Sequence, residues 1–292
     1  MGFATHGLKK AASAAQAEIV SRVSTGQAGV PTFFDNFLNG VLTRLKATES
    51  MHGWNARPAA PGGQAAPMVA ELQWLERYLE NRKDGRFVSY SDRRKAERAG
   101  RESDIGELEL LMSQGTASCL SWKGKPLFKT AFDFAILPML IWELKPGTIF
   151  EIGSGNGASA CWMADVIKSF GLDCRVHSVD IKPVAETHPG VEFRTGDCTS
   201  PKTLFDAELL RSAPRPYLVL EDAHVNVHDV LVYIDAFLRE GDYLFVEDSR
   251  SKADDLHRFL GGRTTRYMVD TRYTDFFGRN ATCAANSILV RV

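Results

Sequence analysis

The sequence predicts an α/β protein built on a doubly wound sheet of seven strands whose last strand pair is antiparallel, preceded by a helical N-terminal region. Three observations lead there. From Thr148 onward, short apolar runs of strand length alternate with helical stretches, the grammar of βαβ units and of a parallel sheet covered on both faces. The first run ends in alternating glycines, "FEIGSGNGASA", and a helix follows at once. The last two runs are joined by "TRYTDFFGRNATCAAN" with no helix expected between them, so they pair antiparallel at one edge.

Before about residue 145 the pattern is helical and broken by loops. Residues 8–24 are rich in alanine, and residues 31–49 carry apolar side chains at three- and four-residue steps, as an amphipathic helix requires. "ARPAAPGGQAAP", from Ala56 to Pro67, is a loop. In "MVAELQWLERYLENRKDG", Leu72, Leu75 and Leu79 line one stripe and Gly85 stops the helix. A further helix is expected over about 92–113. Two regions result: residues 1–120, a helical region suited to a lid or to self-association, and residues 121–292, the ligand-binding α/β domain. In the second, strands are expected at Thr148–Ile152, Arg175–Val179, Val191–Arg194, Tyr217–Leu220, Tyr243–Val246, Arg266–Val269 and Ser287–Val292. Helices are expected at Ala158–Phe170, Pro201–Arg211, Val227–Arg239 and Ala253–Leu260. In such open, Rossmann-like sheets ligands bind beyond the carboxyl ends of the strands. Every motif below lies at such an end.

Composition narrows the partners. Lys+Arg 35 against Asp+Glu 36 gives no overall field for nucleic acid or an anionic membrane. The basic run Arg93-Arg94-Lys95 with Arg98 and Arg101 is interleaved with Glu97 and Glu102, and reads as a solvated helix face. No apolar run has the length of a membrane span. The first twenty residues lack the apolar core of a signal peptide, and His6 stands where a myristoylation signal wants Ser or Thr. Five cysteines, scattered and without C-x-x-C, suit a reducing cytoplasm and give no thiolate metal site. The expected partner is a small-molecule substrate, with a homo-oligomer as the other association to look for.

The glycine loop admits two kinds of ligand. Gly153, Gly155 and Ala158 fit the dinucleotide fingerprint G-x-G-x-x-A, and Asp180 follows at about the right distance for NAD. Three features oppose NAD: Glu151, a carboxylate before the first glycine; the extra Gly157; and the antiparallel end of the sheet. The same features suit S-adenosylmethionine (SAM), which is cationic at its sulfonium and amino groups and carries no phosphate. Glu151, Gly153, Ser154, Gly155 and Asn156 then form its loop. Asp180 accepts the ribose hydroxyls, and Asp197 and Cys198 of "TGDC" lie near the adenine.

The stretches "WKGKPLFKTAFDFAILPMLIWELKPGTIFEIGSGNGASA", "SVDI", "GDC", "LVLEDAH" and "GDYLFVEDS", in this order and spacing, resemble a class I SAM-dependent methyltransferase. More narrowly, residues 122–292 are similar to the family named after cephalosporin hydroxylase, whose members include antibiotic-pathway O-methyltransferases. The resemblance implies SAM as cofactor, a role in secondary metabolism such as antibiotic biosynthesis, and methyl transfer to a natural-product-like molecule. The acceptor atom stays open between oxygen, nitrogen and carbon, as does another SAM-consuming reaction such as intramolecular cyclisation.

Glu221 and Asp222 end the fourth strand, and Glu247 and Asp248 the fifth. Carboxylates this crowded need a cation among them, and oxygen ligands without a Cys or His cluster favour Mg²⁺ over zinc. By the resemblance, the metal ligands are Asp222, Glu247 and Asp248, with Asp222 also facing the SAM methyl. Alternatively Asp248 or Ser249 caps the next helix and Glu221 is solvated. His224 is the candidate general base for an acceptor hydroxyl. In the family an Asp is often followed by two residues and then His; here Asp222 and His224 stand one residue closer. Without H-E-x-x-H, His224 and His228 do not make a zinc site. Trp122, Lys123, Phe128, Tyr273, Phe276 and Phe277 are the aromatic and basic side chains expected to border the open side of the pocket.

Overall fold

The structure, a computed structural model, describes residues 85–95, 103–113, 120–263 and 266–292. The helices expected over 8–24, 31–49 and 68–84 and the loop at 56–67 lie outside the described residues. Phe87–Ser89 is β1, Tyr90–Lys95 is α1 and Glu107–Met112 is α2. A small hairpin of β2 (Ser121–Trp122) and β3 (Lys125–Pro126) leads into α3 (Ala131–Leu144). The Thr130 hydroxyl caps α3, accepting from the Asp133 N–H at 3.1 Å. The alternating part follows: β4 (Thr148–Ile152), α4 (Ala158–Ser169), β5 (Arg175–Asp180) and β6 (Val191–Thr195). Then come α5 (Ala207–Ser212), β7 (Tyr217–Glu221), α6 (Val227–Asp235) and β8 (Tyr243–Val246). The chain closes with α7 (Ala253–Gly261), β9 (Tyr267–Asp270), α8 (Thr271–Thr274) and β10 (Ile288–Arg291).

All the larger strands join one sheet in the order β1-β9-β10-β8-β7-β4-β5-β6. β8, β7, β4, β5 and β6 run parallel. β10 is antiparallel to both β8 and β9. The seven expected strands are therefore present, and the last two pair antiparallel as expected. The difference is an eighth strand: β1 pairs antiparallel outside β9 and takes the edge, and β10 lies between β9 and β8. β1 is only "FVS", too short to show alternation. The expected helix over 92–113 is also interrupted. Ser103 and Asp104 run as non-helical backbone, where the Ser103 hydroxyl donates to the Asn280 carbonyl and the Asp104 N–H to that of Arg279, both at 2.9 Å.

Strand alternation divides the core between the two faces. On one face Leu137, Ile141, Trp162 and Met163 of α3 and α4 pack on Ile149, Leu218 and Phe245. On the other, Val230, Leu231, Phe259 and Leu260 of α6 and α7 pack on Phe150, Val219 and Leu244. The connection from β9 to β10 is largely buried and polar, and α1 satisfies it. Arg93, expected on a solvated face, is 4% exposed. Its guanidinium donates to both Asp275 oxygens at 2.7 Å, to Asn280 at 3.0 Å and to Asn286 at 2.9 Å. Arg94 and Lys95 remain exposed. Among the described residues no helix is long and apolar enough to cross a membrane.

Candidate active site

The carboxyl ends of β8, β7, β4, β5 and β6 open on a cavity of about 350 Å³, within the range of small-molecule sites. Its floor is the glycine loop. A Cβ on Gly153 (φ +101°) would come within 2.7 Å of the Asp222 backbone, so only glycine lets β4 and β7 end side by side here. Gly155 (φ +53°) turns its backbone to the cavity and donates its N–H to Asp180 Oδ2 at 2.9 Å. The Lys182 N–H holds Asp180 Oδ1 at 3.1 Å. Asp180 is thus fixed, and each of its oxygens keeps a further lone pair. Asn156 ties the loop to β3 through the Pro126 carbonyl at 2.8 Å. At the end of β6, Asp197 accepts from the Thr199 N–H at 2.8 Å, which holds its carboxyl below the usual range. Beside it Cys198 is an unreactive surface, because burial pushes its thiol up to about 11.

Glu151 does not itself line the cavity. Alternation turns it away from the cavity onto the α3/α4 face, where it is fully buried. Its carboxylate accepts from the Ser159 and Ser178 hydroxyls, each at 2.5 Å, and burial pushes it up from its ordinary value. The Ser178 and Ser154 hydroxyls are 2.6 Å apart. Glu151 therefore reaches the cavity only through Ser159 and Ser154, which line it.

The acids at the ends of β7 and β8 sort by the same alternation. Glu221 faces the α6/α7 side, buried against Lys252 Nζ at 2.8 Å. Asp222 faces the cavity. Its Oδ1 lies 3.6 Å from His224 Nε2, which lies 3.2 Å from Asp248 Oδ2. One ligand atom from each of Asp222, His224 and Asp248 lies within 4.8 Å of the others. His224 and Asp248 both have left-handed backbone, φ +58° and +47°, a strained state that collects at functional sites. Glu247 falls outside this trio. It is 1% exposed and points to the α3/α4 face, where its Oε1 meets Lys129 Nζ at 2.6 Å. So of the expected set, Asp222 and Asp248 come together at the cavity, and Glu247 lies behind them.

Lys129 is the residue that sequence reasoning missed. It is 1% exposed and reaches Asp222 Oδ2 at 3.1 Å as well as Glu247. Burial opposes its charge, but Asp222, Glu247 and Glu151 more than offset this and hold its ammonium well above the ordinary range. Nothing in "PLFKT" marks a lysine before a helix cap as buried. Burial and the nearby Asp222 charge push Glu247 well up. His224 is raised to about 9 by the carboxylates of Asp222 and Asp248 beside it. A protonated imidazole cannot accept a proton, so a base role requires another cation on those two carboxylates. The trio fits one: the acids have drawn the nearest surface cation between them rather than separating, and their hard oxygens suit Mg²⁺. Of the expected substrate contacts only Phe128 lines the cavity. Trp122 and Lys123 bond Asp165 at 2.7 and 2.6 Å, Tyr273 bonds Glu143 at 2.6 Å, and Phe276 and Phe277 pack on each other. His228 pairs with Asp229 at 2.8 Å, apart from the trio.

The family model described as rhamnosyl O-methyltransferase/CmcI matches residues 114–262, just over half of the chain. The chain is 29% identical over 137 residues to a rhamnosyl O-methyltransferase of Mycobacterium leprae, covering 44% of this chain and 60% of that protein. It is 27% identical over 138 residues to the Mycobacterium tuberculosis H37Rv protein of the same name, 44% and 56% of the two chains. The chain thus spans less than two thirds of the length of these curated relatives. Among solved structures it resembles CmcI in its Mg–SAM form, at 28% identity and a TM-score of 0.52, covering 60% of this chain and 77% of that one.

Proposed function

Because the chain belongs to the rhamnosyl O-methyltransferase/CmcI family, we propose that it transfers the methyl group of SAM, with Mg²⁺, to a hydroxyl of a small natural-product-like molecule. The observation that carries this reading is a juxtaposition. A cavity built on the ends of β4, β5 and β6, with acceptors placed for a nucleoside, is continuous with the Asp222–His224–Asp248 trio on β7 and β8. The relative in Mg–SAM form supports both cofactors, and the relatives named O-methyltransferases support the oxygen acceptor.

When bound, SAM supplies an electrophilic methyl and Mg²⁺ lowers the pKa of a hydroxyl it polarises. The residues divide the remaining work. Asp180 takes the ribose hydroxyls and Asp197 the adenine amino group. The backbone from Gly153 to Gly155, with Ser154 and Asn156, lies along the amino-acid part. Asp222 and Asp248 hold the metal, with Glu247 behind them. His224, released from its two carboxylates, accepts the hydroxyl proton. Phe128 and Val225, both exposed at the mouth, keep water from the reacting atoms once a substrate covers them. Displacement at a methyl carbon needs little more than this alignment and dryness.

The test combines mass spectrometry with calorimetry. Hydroxylated metabolites incubated with protein, SAM and Mg²⁺ gain one methyl mass, and EDTA removes the gain. SAM and S-adenosylhomocysteine bind in the calorimeter and NAD does not. NAD binding without SAM binding sinks the proposal, and turnover untouched by EDTA removes the metal from it.

A further inference from the structure

We infer that Lys129 is a resident counter-cation, which competes with the divalent ion for Asp222 and Glu247 and keeps metal binding at this site weak and exchangeable. The inference rests on the proposed metal at Asp222 and Asp248. Lys129 stands just before Thr130, the cap of α3, and its side chain is 1% exposed. Two costs attach to that position. A buried ammonium loses its hydration, and a cation opposes the positive end of the helix dipole. A well-packed methionine would avoid both, so packing alone does not account for a lysine here. What it adds is charge, delivered to chosen atoms.

Those atoms matter. Lys129 Nζ lies 2.6 Å from Glu247 Oε1 and 3.1 Å from Asp222 Oδ2. The other Asp222 oxygen, Oδ1, belongs to the trio at the cavity. Lys129 therefore does three things at once. It fixes the Asp222 carboxylate with one edge inward and one edge toward the metal position. It holds Glu247 away from that position. It places a positive charge one carboxylate's width from any ion held by Asp222, which repels that ion. Removing the ammonium strengthens Asp222 as a ligand and frees Glu247 to become a third oxygen donor.

Mn²⁺ titration, followed by calorimetry or by the electron paramagnetic resonance signal of the free ion, reads this directly and without turnover. K129Q is expected to bind Mn²⁺ about tenfold more tightly than the wild type, equivalent to about 1.4 kcal/mol. Since K129Q leaves buried carboxylates unpaired and its folding is at risk, the same comparison is made between E247Q and K129Q/E247Q, where the second variant has lost both partners of the pair. There too the loss of Lys129 tightens binding. Equal or weaker binding in either comparison of folded proteins overturns the inference and leaves the metal site standing. A wild type that binds no Mn²⁺ defeats the metal site itself, and this inference with it.

Discussion

At the scale of single residues, the site is a set of carboxylates given different tasks by their surroundings. Asp180 is held by two backbone N–H groups and offers its remaining lone pairs to a ligand. An Asp180→Asn variant loses charge-assisted hydrogen bonds to the ribose. We expect SAM affinity to fall about tenfold or more in calorimetry, since such bonds contribute roughly 1.5–3 kcal/mol each; unchanged affinity would place the nucleoside elsewhere. Asp248→Asn should weaken Mn²⁺ binding by about tenfold or more while SAM still binds, because the residue lies at the far end of the cavity; the calorimeter separates the two affinities. Equal loss of both would mean that the variant has disturbed the fold. Asp180 and Asp197 were legible as cavity-lining residues because one ends β5 and the other follows the end of β6, at fixed places in the alternating pattern. The pair Glu221-Asp222 was not. Which acid faces the cavity depends on where β7 ends, and one residue of slippage exchanges them. Lys129 was illegible for another reason: its burial is decided by Asp222 and Glu247, far away in sequence.

At the scale of elements, the parallel half of the fold could be read from the sequence almost strand by strand, because hydrophobic period and glycine placement are local signals. What packs beyond the last strand pair could not. β1 exists because β9 offers it an edge, and α1 is anchored because Arg93 finds Asp275, Asn280 and Asn286. These are long-range matches with no local signature. They also give a test. Arg93→Met leaves Asp275 buried without its partner, and breaking such a pair costs about 3 kcal/mol. The midpoint of urea unfolding should fall accordingly, while SAM affinity, set by β4, β5 and β6, is retained. A stability change within about 0.5 kcal/mol, typical of surface sites, would mean that α1 is not anchored through Arg93.

At the scale of the whole molecule, several ion pairs tie the outer strands and helices to the sheet. Burial works against the charge of Asp235, but Tyr267, Arg263 and Arg291 hold its carboxyl below its ordinary value. Glu143 is lowered in the same way by Tyr273 and Arg86, and Asp165 by Lys123, Trp122 and His188. A carboxylate lowered in the folded state contributes stability that is present above its unfolded pKa, about 4, and lost as pH falls through the folded value. Stability measured by urea unfolding should therefore drop steadily as pH is lowered below about 4. A protein equally stable at pH 3 and at pH 6 would show that these pairs contribute little.

The place of β10 between β8 and β9 sets a timetable for a chain made from its amino end. Everything proposed to hold the nucleoside, from Gly153 to Cys198, is complete once β7 has been synthesised. The turn bearing Asp248 must wait. Its neighbour Ser249 hangs from the carbonyls of Cys283 at 3.1 Å and Ala285 at 2.9 Å, and β8 gains its second partner only with Ile288–Arg291. A nascent chain would thus own a berth for the methyl donor before it owned the machinery to use it, and early arrival of the donor could brace the half-built sheet while the remainder is threaded into place.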